Sequence, residues 1–394
     1  MQEAPLSKVY FYLLPLMVLW GVVHPFIRSL LIFSVIYYVF WFLSGQILRY
    51  LVPILPALSL VAAGALQRTM ASIPWARRWT EHPNLQVLGV IVWMAQGWLY
   101  AWHQVHRQGW PPATPAQRDA YLASRLPAYP AYQLLNKTKG THYTIYALYD
   151  SNMAYFADGT FIGDWFGPGR FSRILDKLSD PAALSRELRS LGAQYFLVNR
   201  STAFLPLPPI EALSRHGLRL IYARSGVWLF ELRDRPMDLR TSGEYLTNPD
   251  FEALDPLGRP AGWTIAGQPV IDASGRWSRS GRVAVYSSGV EHVLYQTRPA
   301  RPGTFYRFRL HARSLQAGQQ ARLQLNWLDA AWKLLSLELQ VVPVDTHWNA
   351  YEMIAQVPRG AAYVTIHVVA HERSHVWFDD VSLTEIAYPT GPIR

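Results

Sequence analysis

From Val9 to Leu66 the chain carries only two full charges, Arg28 and Arg49, within a run of aliphatic and aromatic residues. Backbone N–H and C=O groups in such a stretch find no water in a bilayer and must pair within their own segment, which leaves helix as the economical solution. Four apolar segments stand out: Val9 to Val23, Phe26 to Leu43, Leu48 to Leu66 and Leu85 to Trp102. Each is near the ~20 residues that cross ~30 Å of hydrocarbon, the first being short. MQEAPLSK is only weakly basic, no small-x-small cleavage site follows, and a second span comes at once, so a cleaved signal peptide fits poorly. The expectation is about four retained transmembrane helices over residues 1–102.

The connection QRTMASIPWARRWTEHPN carries Arg68, Arg77 and Arg78, a positive excess that belongs on the cytoplasmic side. That orientation puts Arg49, Tyr50 and everything after Trp102 outside, as expected for a multi-pass protein of a bacterial-type inner membrane with extracytoplasmic domains. The net charge of +10 comes mostly from Arg dispersed along the chain, with no dense block to track phosphates, so nucleic acid is not an expected partner. With no Cys there are neither disulfides nor thiolate metal sites.

YFYLLPL (Tyr10 to Leu16), YYVFWFLSGQILRYLVPILP (Tyr37 to Pro56) and the following VAAGAL resemble the later transmembrane helices of GT-C glycosyltransferases. These are the protein O-mannosyltransferase and aminoarabinose-transferase-like enzymes, which use polyprenyl-phosphate sugars. The resemblance implies that Arg49 and Tyr50 meet a lipid-linked phosphate, for which a planar guanidinium with five donors is suited. The alternative is an Arg that snorkels to the interface as an anchor. The resemblance also implies a catalytic carboxylate in a first outer loop, yet no Asp or Glu occurs between Val9 and Leu66. The chain therefore reads as the C-terminal portion of such an enzyme, with a separate chain as a candidate source of the missing helices, or as a non-catalytic homologue.

Residues 103–235 read as a small extracytoplasmic α/β domain. TIYALYD (Thr144 to Asp150), AQYFLVN (Ala193 to Asn199), LRLIYA and VWLFEL are strands, while Phe171 to Leu178, Pro181 to Leu191 and Pro209 to Arg215 are helices. YFADGTFIGDWFGPGRF, with Asp164 and Trp165 among glycines, reads as an irregular loop and resembles a segment of the periplasmic domains of those glycosyltransferases. That resemblance implies a loop facing the membrane module; a turn-rich connector whose aromatics only pack is the other reading.

Residues 241–388 change to short alternating strands, the pattern of an all-β sandwich. LTNPDFE with a following Gly262-Trp263, PGTFYRFRLHARS and the terminal VWFDDVSL resemble jelly-roll carbohydrate-binding modules and their galactose-binding-like relatives. Alternation sends Tyr306, Phe308, Leu310 and Ala312 inward and leaves Arg307, Arg309, His311 and Arg313 outside. Likewise Leu323, Leu325 and Trp327 point in, leaving Gln324 and Asn326 out with His367. If these strands share one sheet, that face is rich in planar donors and amides suited to sugar hydroxyls or acidic glycans, with Trp263 and Trp332 as exposed stacking candidates; an ordinary solvated sheet face is the other reading. His367, His371 and His375 lie on alternating β-branched sequence, where four residues span ~13 Å, too far to share one zinc. The resemblance instead implies a structural calcium held by Glu252 with Asp379 or Asp380, hard oxygen donors of the right kind.

Three readings follow. One is an incomplete polyprenyl-phosphate-sugar glycosyltransferase with an attached glycan-binding module. The second is a membrane-anchored extracytoplasmic glycan-binding protein without catalysis. The third is a structural remnant whose sandwich serves protein contacts.

Overall fold

The computed structural model describes residues 9–44, 51, 53–74, 82–164, 169–200 and 207–388. They form two compact units, Met1–Pro111 and Pro112–Arg394.

In the first unit, helices α1 (Val9–Val23), α2 (Pro25–Ser44) and α4 (Pro83–Gln108) fall on the first, second and fourth apolar segments, and α3 (Leu55–Ser72) takes up the third from Leu55 and runs past its expected end at Leu66. Among the described residues, Pro25–Leu43 is long and apolar enough to cross a membrane, with 19 residues and a mean hydropathy of 1.9, whereas Tyr12–Val23 is shorter. The expected multi-pass arrangement is thus not shown beyond that one helix. Helices α1 to α3 enclose a thin core of Met17, Ile27, Val61, Ala62 and Ala65, and Trp20 donates to Thr69 Oγ1 at 2.8 Å. Glycine eases one contact between α1 and α2: a Cβ on Gly21 would collide with Leu31 Cδ1, so the leucine side chain would have to shift. Phe33, Ile36, Phe40 and Leu43 face outward, so α2 is apolar on its exposed side as well. A helix greasy all round suits lipid.

The second unit begins with α5 (Pro115–Arg125) and α6 (Tyr129–Lys139). Thr114 and Gln117 close a capping box at the start of α5. A five-stranded sheet follows, in the order β2-β1-β3-β5-β4, built from β1 (Thr144–Leu148), β2 (Thr160–Gly163), β3 (Tyr195–Asn199), β4 (Leu218–Arg224) and β5 (Val227–Leu232). Strands β1, β2 and β3 are parallel; β5 runs antiparallel to both β3 and β4. Helices α7 (Arg170–Leu175), α8 (Pro181–Ser190) and α9 (Ile210–Arg215) complete this layer. Strand β2 corrects the reading of its segment as loop: TFIG pairs along one edge of β1. The turn before it needs glycine, because a Cβ on Gly159 would lie 2.5 Å from the Tyr143 carbonyl oxygen.

The sandwich comprises β6 (Arg240–Thr241), β7 (Thr264–Ala266), β8 (Val270–Asp272), β9 (Ala284–Ser288), β10 (Val293–Pro299), β11 (Phe305–Arg313), β12 (Gln319–Leu328), β13 (Leu334–Val344), β14 (Asn349–Gln356), β15 (Tyr363–Ala370) and β16 (His375–Ala387). Its first sheet has the order β13-β12-β15-β10-β7 and its second β14-β11-β16-β9-β8, with β6 added to β16. Tyr306, Phe308, Leu310 and Ala312 from the second sheet meet Leu323, Leu325 and Trp327 from the first, all fully buried, as the alternation predicts.

The α/β layer and the sandwich share a core. Ile354 of β14 and Ile386 of β16 are buried among Leu213, Leu218, Leu220 and Phe230 of the α/β layer. The Tyr388 hydroxyl accepts from the Leu220 N–H at 2.9 Å. Arg307 pairs with Glu211, and the buried Glu338 accepts from the Ser225 N–H. Shortening Ile386 to Ala should destabilise by about 2–5 kcal/mol. Because that side chain serves both layers, calorimetry should show one shifted transition spanning α/β layer and sandwich; two separate transitions would deny the shared core.

Candidate functional site

The structure separates two groups of residues that alternation alone had placed together. Arg307, Arg309 and His311 lie on β11 in the second sheet, whereas Gln324, Asn326 and His367 lie on β12 and β15 in the first. The single donor-rich face expected if these strands paired does not exist, because β11 pairs with β14 and β16 instead.

On the first sheet's outer face, register sets Gln324 opposite His367, and His367 opposite Tyr295 of β10. Gln324 donates to Asn326 Oδ1 at 3.0 Å, and the Asn326 amide lies 3.1 Å from His367 Nε2. Tyr295 and His367 stack with ring centroids 5.8 Å apart. Burial pushes the His367 imidazole down to about 4, so it is neutral at physiological pH. The adjacent row brings Thr297 and Thr365 together at 2.9 Å. At the end of the face, the β12–β13 turn is tied by Asp329 Oδ1, which accepts from the Ala331 and Lys333 N–H groups, each at 2.9 Å. It holds Trp332 at φ 63° with 59% of its surface exposed, stacked on Tyr363 at 4.4 Å and 15°. Tyr295 and Tyr363 were missed in the sequence because an aromatic on an outward strand position looks the same whether or not a neighbour stacks on it.

Trp263, expected as an exposed platform, is a correction. It is only 8% exposed, packs on Phe251 at 5.2 Å and donates from Nε1 to the Asn248 carbonyl. It follows Gly262 at φ 81°, which turns the indole into the core. Arg307 is committed to Glu211 across the layer interface. Arg309 and His311, with Arg279, Glu244 and Asp380, line a shallow pocket of about 360 Å³. Burial and the nearby Arg279 lower the His311 pKa.

Glu252, Asp379 and Asp380 converge on one loop, as the calcium expectation requires, but their oxygens already meet donors. Glu252 Oε1 accepts from the Arg282 and Val283 N–H groups at 2.7 and 2.8 Å. Asp379 accepts from the N–H groups of Arg279, Ser280 and Asp380, and Asp380 pairs with Arg279. Among the described residues no group of three His, Asp or Glu side chains is placed to hold a metal ion. A guanidinium and backbone donors take the positions that a cation would need, so this arrangement does not fit calcium's six to eight oxygen ligands. We expect equal melting temperatures in calcium and in EGTA; a rise of several degrees in calcium would place an ion there.

The α/β layer holds a second candidate. Asp150 follows β1, Asp164 follows β2 and Asn199 ends β3, so three adjacent parallel strands deliver polar groups at their carboxyl ends, the edge where open α/β sheets bind ligands. These residues, with Tyr149, Ser151, Asn152, Met153 and Phe171, line a pocket of about 610 Å³. Asp150 accepts from the Tyr132 hydroxyl at 2.8 Å and the Asn199 amide at 3.1 Å. Asp164 accepts from the Tyr146 hydroxyl and from the Tyr149 N–H at 2.9 Å. Two carboxylates at its floor suit a ligand that donates hydrogen bonds and disfavour a phosphate. Arg49, Tyr50 and Trp165 lie outside the described residues.

A family model described as SF2091/S2213 matches residues 117–209, less than a quarter of the chain. No curated protein matches. Among solved structures, the active domain of tailspike protein 4 from bacteriophage CBA120 is 15% identical, with 36% of this chain and 21% of that chain covered and a TM-score of 0.29. The CBM22-1–GH10 modules of Clostridium thermocellum xylanase 10B, complexed with xylohexaose, are 16% identical over 36% of this chain and 27% of that one, TM-score 0.28. The CBM22-1 xylan-binding domain of Paenibacillus barcinonensis Xyn10C is 10% identical over 38% and 95%, TM-score 0.28. The matched region thus spans about a fifth to a quarter of the first two chains. At these TM-scores the likenesses do not bear on function.

Burial raises Asp150 to about 6, the hydrogen bonds from Tyr132 and Asn199 offsetting part of the rise. Its folded pKa stands above the unfolded value near ~4, so the folded state retains a proton that the unfolded chain releases between about pH 4 and 6. Stability therefore falls as pH rises through that window, leaving a cost of about 3 kcal/mol above it. Asp150→Asn should be more favourable relative to the parent at pH 8 than at pH 4, as read by paired thermal melts. A pH-independent difference would mean that Asp150 is not desolvated.

Proposed function

We propose that this chain is a membrane-anchored, extracytoplasmic glycan-binding protein whose ligand lies across the outer face of the first sandwich sheet. One observation carries the reading: two stacked pairs, Trp332 on Tyr363 and Tyr295 on His367, flank amides and hydroxyls along one face. Tyr363 and His367 are four residues apart on β15, about 13 Å at the strand rise, which suits a short oligosaccharide rather than a single ring. Aromatic faces take the apolar side of a pyranose, while Gln324, Asn326 and Thr297 offer both donors and acceptors to its hydroxyls. Arg322, on the same side of β12 as Gln324, donates to His371 Nδ1, with Glu372 beside that ring, so charge gathers at the end away from Trp332, and neutral His367 adds none at the Trp332 end; the reading therefore favours a neutral sugar there. Apolar α2 and the Arg-rich α3–α4 connection support the anchor and its orientation. The glycosyltransferase resemblance of the first hundred residues finds no support in the comparisons, and sugar transfer is not part of this proposal.

A glycan array probed with the detergent-solubilised protein identifies the ligand, and Trp332→Ala, Asn326→Ala and His367→Ala should each weaken it about tenfold, near 1.4 kcal/mol, without lowering the melting temperature. Affinity should hold steady from pH 8 to 6 and decline as pH falls through about 4, where His367 gains its proton. Absence of binding to every neutral glycan would overturn the proposal.

A further inference from the structure

The outer face of the second sandwich sheet is divided. The α/β layer covers the end bearing Phe305, Arg307, Ile354 and Ile386. At the opposite end, aromatic rings and guanidinium groups gather in layers. Trp277, in the loop between β8 and β9, stacks on Trp377 of β16 at 5.5 Å and 17°. Tyr286 of β9 touches the same indole at 5.0 Å, and its hydroxyl lies 2.6 Å from His375 Nδ1. Arg313 is the cross-strand neighbour of Trp377, and its guanidinium carbon lies 5.6 Å from the Trp277 ring and 6.0 Å from the Trp348 ring. Arg276 lies over the Trp277 ring at 4.8 Å.

We propose that this aromatic and guanidinium patch is a second binding surface, for an anionic polysaccharide whose uronate carboxylates meet Arg276 and Arg313 where Trp277 holds them. Two features converge on that ligand. Among the described residues, neither Arg276 nor Arg313 makes an ion pair with a carboxylate, so the patch is positive without an internal counter-charge. Trp277, itself stacked on Trp377, carries the Arg276 guanidinium over its ring and has Arg313 nearby, so the aromatic cluster holds both cations where a carboxylate can reach them. Two unpaired guanidiniums are too few to follow a nucleic-acid backbone, and the half-buried indoles do not project as lipid-inserting residues do.

This surface lies on the opposite sheet from the neutral-glycan face, so the two proposals stand or fall separately. Titrating the full chain in detergent with polygalacturonate oligomers should give binding that weakens as salt rises. Arg313→Gln, Arg276→Gln and Trp277→Ala should each weaken it at least tenfold, with Trp277→Phe restoring most of the affinity, while Trp332→Ala leaves it unchanged. Arg313→Gln, Arg276→Gln, Trp277→Ala and Trp277→Phe should keep the parent's melting temperature, which shows that they fold. The proposal is overturned if methyl-esterified oligomers bind as tightly as the free acids, if the arginine variants bind like the parent, or if the patch takes anionic vesicles or polyuridylate in place of polyuronate.

Discussion

The last strand of the chain belongs to two cores at once. Along β16, Val376, Phe378 and Leu383 fill the sandwich, whereas Ile386 and the following Tyr388 enter the α/β layer. A strand held at both ends by different hydrophobic clusters cannot shift register without exposing one of them, because a slip of one residue exchanges its faces. The Tyr388 hydroxyl, placed between Ser214 and the Leu220 N–H, adds direction to what apolar packing alone leaves loose. Two segments with different sequence patterns thereby share a fixed geometry.

That shared geometry decides which polar groups are free. Arg307 and Arg313 occupy equivalent outward positions on β11, six residues apart. Arg307 falls under the α/β layer and is neutralised by Glu211, while Arg313 falls beyond its edge and stacks among tryptophans. The same partition separates the chemistry of the two sheets. One outer face is amide-rich, with Arg322 bonded to His371 at one end, and the other keeps two guanidiniums among tryptophans, so a single sandwich presents unlike surfaces on its two sides.

Burial sets the charge state where the chain uses acids structurally. Glu338, pushed up to about 7 by desolvation, and Asp379, raised to about 6 for the same reason, still accept backbone N–H bonds that tie neighbouring loops. These carboxylates are costly to bury charged, and their retained donors limit the cost. The Asp150 and Asp164 pocket differs: its carboxylates line open volume at the ends of parallel strands.

Local pattern in the sequence determined the apolar helices, the α/β strands β1 and β3 to β5, and the inward alternation of Tyr306 to Ala312 and Leu323 to Trp327, because periodicity is a property of the segment itself. It also marked Trp332, through the turn residue Asp329 and the exposed position after it. Tertiary structure alone decided the rest. Strand TFIG looked like loop because four residues gain strand identity only from the edge they pair with. Trp263 looked like a platform because nothing in its neighbourhood records the core that Gly262 turns it into. The separation of Arg309 from Asn326 and the assembly of Trp277, Trp348 and Trp377 from three distant segments follow from strand order, which depends on long-range pairing energies that no local window contains.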